Sequence, residues 1–302
     1  MQSSPEQPAP VPAPIPPPSV QYFDSDFDAA AWIEECAHTP LLPITPTLDK
    51  EGHLGGVVDQ VDEAAQWDSF FHTHSGGQFF KARKYVYPAF QKWIEQSELC
   101  LEVGCGHGCS IYPLLTNEHL SELRIIATDY SHEALSILML HEKFDPARMQ
   151  VRLWDISQPY TQSRQYPIVE ECGDVCDALT PENTVSSILC LFVLSALHPE
   201  NHEASLRHMW DILPPGGVIL FRDYGVCDMT MFRHKVRLTE HLYRRCDGTL
   251  SYYFDLDYMR ALCAATGFDP VELKYATVQI TNKKKGITMK RVFVHAVLVK
   301  VI

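Results

Sequence analysis

The sequence predicts an α/β protein built on a mostly parallel sheet with helices on both faces. Three observations carry that reading. The apolar run Leu99–Val103 ends in a turn with glycines at 104, 106 and 108, and an amphipathic segment follows (Ile111, Leu114, Leu115). Two further apolar runs, 123–128 and 151–154, close on Asp129 and Asp155. The stretch Ser187–Leu194 is almost continuously apolar, as a strand must be when both its faces are covered. In such a sheet ligands lie outside the carboxyl ends of the strands. A glycine turn there lets backbone approach a ligand that a side chain would block.

Composition narrows the class. The 302 residues suffice for one large domain or a domain with extensions. No apolar run is long enough to span a bilayer. The ten cysteines contain no CxxC pair, so they read as free thiols in a reducing compartment, the cytoplasm by default or the nucleus, rather than as a metal or disulfide framework. The first 63 residues hold eleven Asp or Glu and a single basic residue, Lys50. The net charge of −13 therefore sits mostly at the N-terminus, and the body is near neutral with its cations clustered. That distribution leaves an RNA partner open.

Taken in order, residues 1–60 form a Pro-rich acidic segment, expected to be largely disordered or extended, with eight prolines in its first 20 residues. Within it 28–38 has the pattern of a short helix. Residues 61–98 form a helical element, with Trp67, Phe70 and Phe71 near one face. The run Phe79-Phe80-Lys81-Ala82-Arg83-Lys84-Tyr85 alternates aromatics with cations. It suits either base stacking with phosphate pairing or aromatic docking on the core beneath solvated cations. Residues 99–302 form the main domain. Ser131 caps a helix over 131–142, and 157–174 is an irregular polar insertion. Leu206, Trp210 and Leu213 mark a helix that stops at Pro214-Pro215-Gly216-Gly217. A strand over 218–221 precedes Arg222-Asp223-Tyr224-Gly225. Asp247-Gly248-Thr249 reads as a hairpin turn. A helix over 257–266 stops at Gly267, and strands over 271–281 and 291–301 flank the link Asn282-Lys283-Lys284-Lys285-Gly286.

Cys109 stands where the dinucleotide fingerprint requires Gly or Ala, which counts against NAD. Asp129 at its strand end can accept ribose hydroxyls. Asp155, followed by Ile156, suits the amino edge and face of adenine. A glycine turn and two acids on three successive strands resemble the S-adenosyl-L-methionine-dependent class I methyltransferases. That resemblance implies a Rossmann-like, seven-stranded, mostly parallel sheet with an antiparallel C-terminal strand, here carrying an N-terminal extension.

Five segments narrow the resemblance: 67–83, 102–108, Phe192-Val193-Leu194-Ser195-Ala196 with His198-Pro199, Leu220–Gly225, and Tyr243-x-Arg245-x-Asp247-Gly248-Thr249 with Tyr252. Over residues 61–300 the chain resembles the methyltransferase-like tRNA 3-methylcytidine methyltransferases. The resemblance implies methylation of N3 of cytidine 32 in the tRNA anticodon stem-loop. It places Trp67, Phe71, Glu102, Gly104, Gly106, Asp129, Tyr130, Asp155, Ile156 and Leu191 around the cofactor. It also implies a protein partner such as a tRNA synthetase, with a lean towards the seryl enzyme. Phe71 stands where the family usually has Tyr, Ala82 where it has Asp, and His107-Gly108-Cys109 where it has Val-Gly-Asn.

The chemistry needs no metal or covalent intermediate, because the sulfonium methyl is already activated, and no obligatory general base, because neutral cytosine N3 carries a lone pair and no proton. Asp223 is the candidate to meet the charge arriving on the base or to bind its amine, with Arg222 holding it and Tyr224 stacking. The alternative is a structural Arg222–Asp223 ion pair at a strand end. Lys81, Arg83 and Lys84, Arg233 and Lys235, Arg244 and Arg245, and Lys283, Lys284 and Arg291 are the candidate phosphate contacts. Competing functions are a class I methyltransferase for a small molecule or protein, and a non-catalytic tRNA-binding subunit.

Overall fold

A computed structural model describes residues 24–45, 63–76, 79–165, 173–180, 183–282 and 286–301. The strands in chain order are β1 (Leu99–Val103), β2 (Arg124–Asp129), β3 (Met149–Leu153), β4 (Gly173–Asp174), β5 (Ser187–Leu191), β6 (Val218–Tyr224), β7 (Val236–Arg237), β8 (Leu242–Arg244), β9 (Leu250–Tyr252), β10 (Phe268–Asn282) and β11 (Ile287–Lys300). The helices are α1 (Ala29–Ala37), α2 (Glu63–Thr73), α3 (Val86–Ile94), α4 (Ile111–Leu115), α5 (His132–Met139), α6 (Val175–Ala178), α7 (His202–Ile212) and α8 (Leu256–Thr266).

The main sheet runs β10-β11-β6-β5-β1-β2-β3-β4. Strands β1 to β6 pair in parallel, and β11 enters antiparallel between β6 and β10. Seven of these are the expected strands; the eighth, β4, is a two-residue addition inside the stretch read as an irregular insertion. The sheet is covered on both faces. Leu101, Ile188, Phe221 and Ala296 pack with Leu206 and Met209 of α7 and Met259 of α8. The alternate residues Cys100, Ile125, Leu189 and Leu220 pack with Val86 and Phe90 of α3, Leu114 of α4 and Leu135 of α5.

Local chemistry sets the helix ends. Ser131 Oγ accepts from the Ala134 amide at 3.1 Å, and α5 ends at Met139, earlier than expected. Asp255 caps α8 through the Tyr258 amide at 2.7 Å, and Gly267 closes it at φ +85°. The 247–249 turn joins β8 to β9 as expected, and β7 completes a separate three-stranded antiparallel sheet.

In the N-terminal segment the short helix expected over 28–38 is α1, and the described residues 24–45 form a strap across the molecule. The strap bridges the edge strand β10 at Ser25–Thr277 and the small sheet at Ile44–Arg237. Between them α1, capped by Asp28, lies behind the hairpin β10–β11. Lys290 Nζ sits 3.8 Å from the Trp32 ring centroid and 3.6 Å from Glu35, and Trp32 Nε1 donates to Cys227 O at 2.9 Å. The prolines of this segment are compatible with docking because the partner groups come from far along the chain.

Among the described residues no helix is long and apolar enough to cross a membrane. Trp32→Ala removes both the cation–π contact and the indole hydrogen bond. It should cost about 2 kcal/mol and expose the strap to limited proteolysis; an unchanged melting temperature and digestion pattern would contradict the docking.

Candidate active site

The site begins at the carboxyl end of β1. Gly104 has φ +58°, and a Cβ there would lie 2.7 Å from Val193 Cγ2. Gly106 has φ +54°, and a Cβ there would reach the Phe71 ring at 3.3 Å. The turn thus needs glycine for its backbone conformation and for the close approach of its neighbours. Asp129, at the end of β2, accepts from the Gly106 amide at 2.8 Å and the Ser131 amide at 3.0 Å. Ser131 Oγ in turn donates to Asp68 Oδ1 of α2 at 2.6 Å. One carboxylate therefore ties the β1 turn to β2, and its neighbour Ser131 draws α2 over the opening.

The cavity that results is lined on one side by Gly104, Gly106, Asp129, Tyr130, Asp155, Ile156 and Leu191, with Trp67 and Phe71 of α2 across from them. Asp155 Oδ1 accepts from the Ser157 amide at 2.9 Å, which fixes the acid at the end of β3. Burial pushes the Asp129 carboxyl up to about 6, although amides of Ser131, Gly106 and Tyr130 pull against it. Because the folded pKa lies above the ordinary carboxylate value, keeping Asp129 ionised costs the fold stability above pH ~6 and the cost is relieved as pH falls.

A second lobe of the same cavity is aromatic and cationic. Phe192, just past β5, adopts φ +63°, an outlier for a non-glycine residue that the surroundings must hold in place. Its ring centroid lies 5.0 Å from Tyr224 and 5.6 Å from Phe293. Arg83 stands over Phe192 at 4.8 Å, Arg245 over Tyr224 at 5.6 Å, and Arg291 over Phe293 at 5.1 Å.

Several expected site residues fall elsewhere. Glu102 is fully buried and does not line the cavity; burial pushes its carboxyl up to about 7, against the pull of Arg83 and Ser110. Arg222 and Asp223 are interior residues of β6, which runs through Tyr224 rather than ending at Phe221. Neighbours on a strand point to opposite faces, so Arg222 does not hold Asp223 as expected, and the alternative ion pair between them does not form either. Arg222 stacks between Tyr85 and Phe293, each at 4.8 Å. Asp223, with no exposed surface, accepts from the Ser195 amide at 2.9 Å and the Tyr224 amide at 2.8 Å. Of that trio only Tyr224 lines the cavity.

Among the candidate RNA contacts, Arg83 is drawn into the cavity wall, donating to Ser110 Oγ and Leu191 O at 3.2 Å each. It is therefore not a surface phosphate ligand. Arg245 and Arg291 also line the cavity, as does the exposed Lys81. Lys84, Arg233 and Lys235 are exposed and Arg244 is half-buried; Lys283 and Lys284 lie outside the described residues. Sequence reasoning missed the lining roles of Phe192, Phe293 and Trp154. Phe192 at least stood inside a quoted motif.

The class follows from this architecture together with comparison to known proteins. A methyltransferase-domain family model matches residues 77–273, and the chain is a class I methyltransferase. A Burkholderia thailandensis 1,6-didemethyltoxoflavin-N1-methyltransferase bound to S-adenosylhomocysteine shares the fold, with TM-score 0.51 and 16% identity over 86% of this chain and 95% of that one. The human tRNA N(3)-cytidine methyltransferase METTL6 is 32% identical over 80% of this chain and 82% of its own length. The Saccharomyces cerevisiae tRNA(Thr) (cytosine(32)-N(3))-methyltransferase is 32% identical over 78% of this chain and 36% of its own length. The chain belongs to the tRNA N(3)-cytidine methyltransferases.

The cofactor is S-adenosyl-L-methionine, and the residues present fit it. The glycine cradle leaves room for backbone contact, and acids stand at the ends of β2 and β3. With Asp129 as the expected acceptor of the ribose hydroxyls, affinity for S-adenosylhomocysteine should weaken as pH falls through about 6 and the carboxylate protonates. Asp129→Asn should bind more weakly and show no such dependence. Calorimetry giving a wild-type affinity that is flat between pH ~5 and ~7 would contradict this.

Proposed function

We propose that this chain transfers a methyl group to N3 of cytidine 32 in the anticodon loop of tRNA. The observation that carries the reading is the two-lobed cavity of a tRNA N(3)-cytidine methyltransferase family member. A glycine-and-acid lobe for the cofactor opens into an aromatic, guanidinium-lined lobe of a kind that suits a flat base. Position 32 is the nucleotide that the Saccharomyces cerevisiae relative methylates.

When bound, the cofactor supplies a sulfonium-activated methyl group. The chain's own residues position and shield. Cytosine N3 is hidden in a paired base, so the nucleotide must be extruded or already single-stranded. Phe192, Tyr224 and Phe293 present ring faces and edges for stacking, worth about 1–3 kcal/mol per base. They also offer π-density to the positive charge that arrives on the base. Holding the reactants in line supplies up to ~7–11 kcal/mol in ideal cases, which suits a transfer to N3 that does not require a general base. Arg83, fixed in the wall beside the glycine turn, is the cation for the carboxylate of the cofactor's amino-acid part. Asp223 is a positioning residue: its bonds to the Ser195 and Tyr224 amides set the angle at which the Tyr224 ring meets the base. Lys84, Arg233, Lys235 and Arg244 contact phosphates.

Family resemblance points to a protein partner, a tRNA synthetase such as seryl-tRNA synthetase; added seryl-tRNA synthetase should raise turnover on serine tRNA. A reducing compartment, cytoplasm before nucleus, agrees with eight free cysteines among the described residues.

Incubation with total tRNA and cofactor, followed by nucleoside mass spectrometry, should yield 3-methylcytidine mapped to position 32. Methylation of protein or small molecules instead would overturn the reading. Asp223→Asn places an amide NH2 against a backbone donor, a mismatch of about 1–3 kcal/mol. It should lower turnover about tenfold while leaving S-adenosylhomocysteine affinity within about twofold. A wild-type rate would remove the positioning role.

A further inference from the structure

Behind the second lobe lies a buried polar chain that the cofactor chemistry does not use. Asp228, just beyond β6, has no exposed surface. It accepts four hydrogen bonds. Arg291 Nε donates to Oδ2 at 2.7 Å and the Val292 amide to the same oxygen at 2.9 Å. The Thr230 amide donates to Oδ1 at 2.8 Å and the Thr230 hydroxyl to Oδ1 at 2.5 Å. The chain continues from Thr230 Oγ1 to Tyr253 Oη at 3.0 Å, and from Tyr253 Oη to His234 Nε2 at 2.7 Å.

A carboxylate so fully engaged is immobile, and it holds the guanidinium it grips. Arg291 is bonded to it through Nε, yet its side chain also lines the cavity, 5.8 Å from the Tyr224 ring and 5.1 Å from Phe293. An arginine meant for a phosphate needs reach and solvent. This one is largely withdrawn from solvent and lies along the rings on which the base stacks. In cytosine the carbonyl O2 is adjacent to N3, and a fixed guanidinium that donates to O2 also fixes the direction of the N3 lone pair.

We propose that Arg291 is a base-reading residue that donates to O2 of the extruded cytosine, and that Asp228 is the positioning residue that aims it. This inference rests on the tRNA methyltransferase reading. It replaces the phosphate contact expected of Arg291 from its place in a basic cluster.

The test compares wild type, Arg291→Lys and Asp228→Asn on an anticodon stem-loop carrying cytidine or 2-thiocytidine at position 32. Sulfur is a poor acceptor in place of O2. Arg291→Lys keeps the charge and removes the planar fork. It should lose at least about 100-fold in kcat, with cofactor affinity, RNA affinity and the salt slope of RNA binding close to wild type. Thiocytidine should slow the wild type strongly and the lysine variant little, so that the two changes are not additive. Asp228→Asn should show the same non-additivity, a signature that a merely structural defect would not produce.

A salt slope reduced by about one counterion in Arg291→Lys, with additive thiocytidine effects, would overturn the proposal in favour of a phosphate contact. Near-wild-type kcat in that variant would overturn it outright. Failure of the wild type to methylate the cytidine stem-loop or whole tRNA would instead defeat the functional reading, and this inference with it.

Discussion

The hydrogen bond from the Gly106 amide to Asp129 is the constraint on which the site depends. It joins the tips of two neighbouring strands at the point where the glycine turn leaves β1. It works beside the bond from the Cys105 amide to Thr128 O at 2.9 Å, and it is the one that aims the carboxylate itself at the turn. Ser131 extends the tie by capping α5 and holding Asp68, so the lid helix α2 is anchored to the same corner. The carboxylate carries a cost: burial raises its pKa, and the surrounding amides only partly offset it. Strained, desolvated groups at strand ends are common where a protein must meet a polar ligand.

The core was legible in the sequence because it obeys local periodicity. The buried strands β1, β2 and β5, the capped helices α5 and α8, and the terminal hairpin all follow from apolar runs and their punctuation. Gly104, Gly106, Asp129, Asp155 and Leu191 were legible as cavity-lining residues because they stand at or just beyond predictable strand ends, whereas Trp67 and Phe71 of α2 came from the family resemblance. Glu102 is the exception. It stands just before Val103 in β1, is fully buried and does not line the cavity.

The second lobe was only partly legible, and the reasons are geometric. Ending β6 at Phe221 turned Arg222, Asp223 and Tyr224 into a loop whose three side chains could converge. The strand in fact continues, and its alternation sends Asp223 to the opposite face from Arg222 and Tyr224. Arg83 belonged to a run of cations that reads as solvated. Its amide bonds to Cys109 O at 2.7 Å, which pulls the chain inward beside the glycine turn. The strap at 24–45 was hidden because its partners, Thr277, Lys290 and Arg237, lie about 200 or more residues away. No local pattern reports a pairing of that span. Phe293 likewise enters the site only because β11 lies beside β6.

Phe192, Val193 and Tyr224 line the same cavity as the Gly104 turn, and the proposed function has methyl donor and base meet in it. The most direct measurement is a crystal structure of the protein with S-adenosylhomocysteine and an anticodon stem-loop. The account requires the thioether sulfur beside the Gly104 turn, with cytosine N3 aimed at it from among the Phe192, Tyr224 and Phe293 rings. A base bound outside those rings, or a cofactor lying away from Asp129, would contradict it.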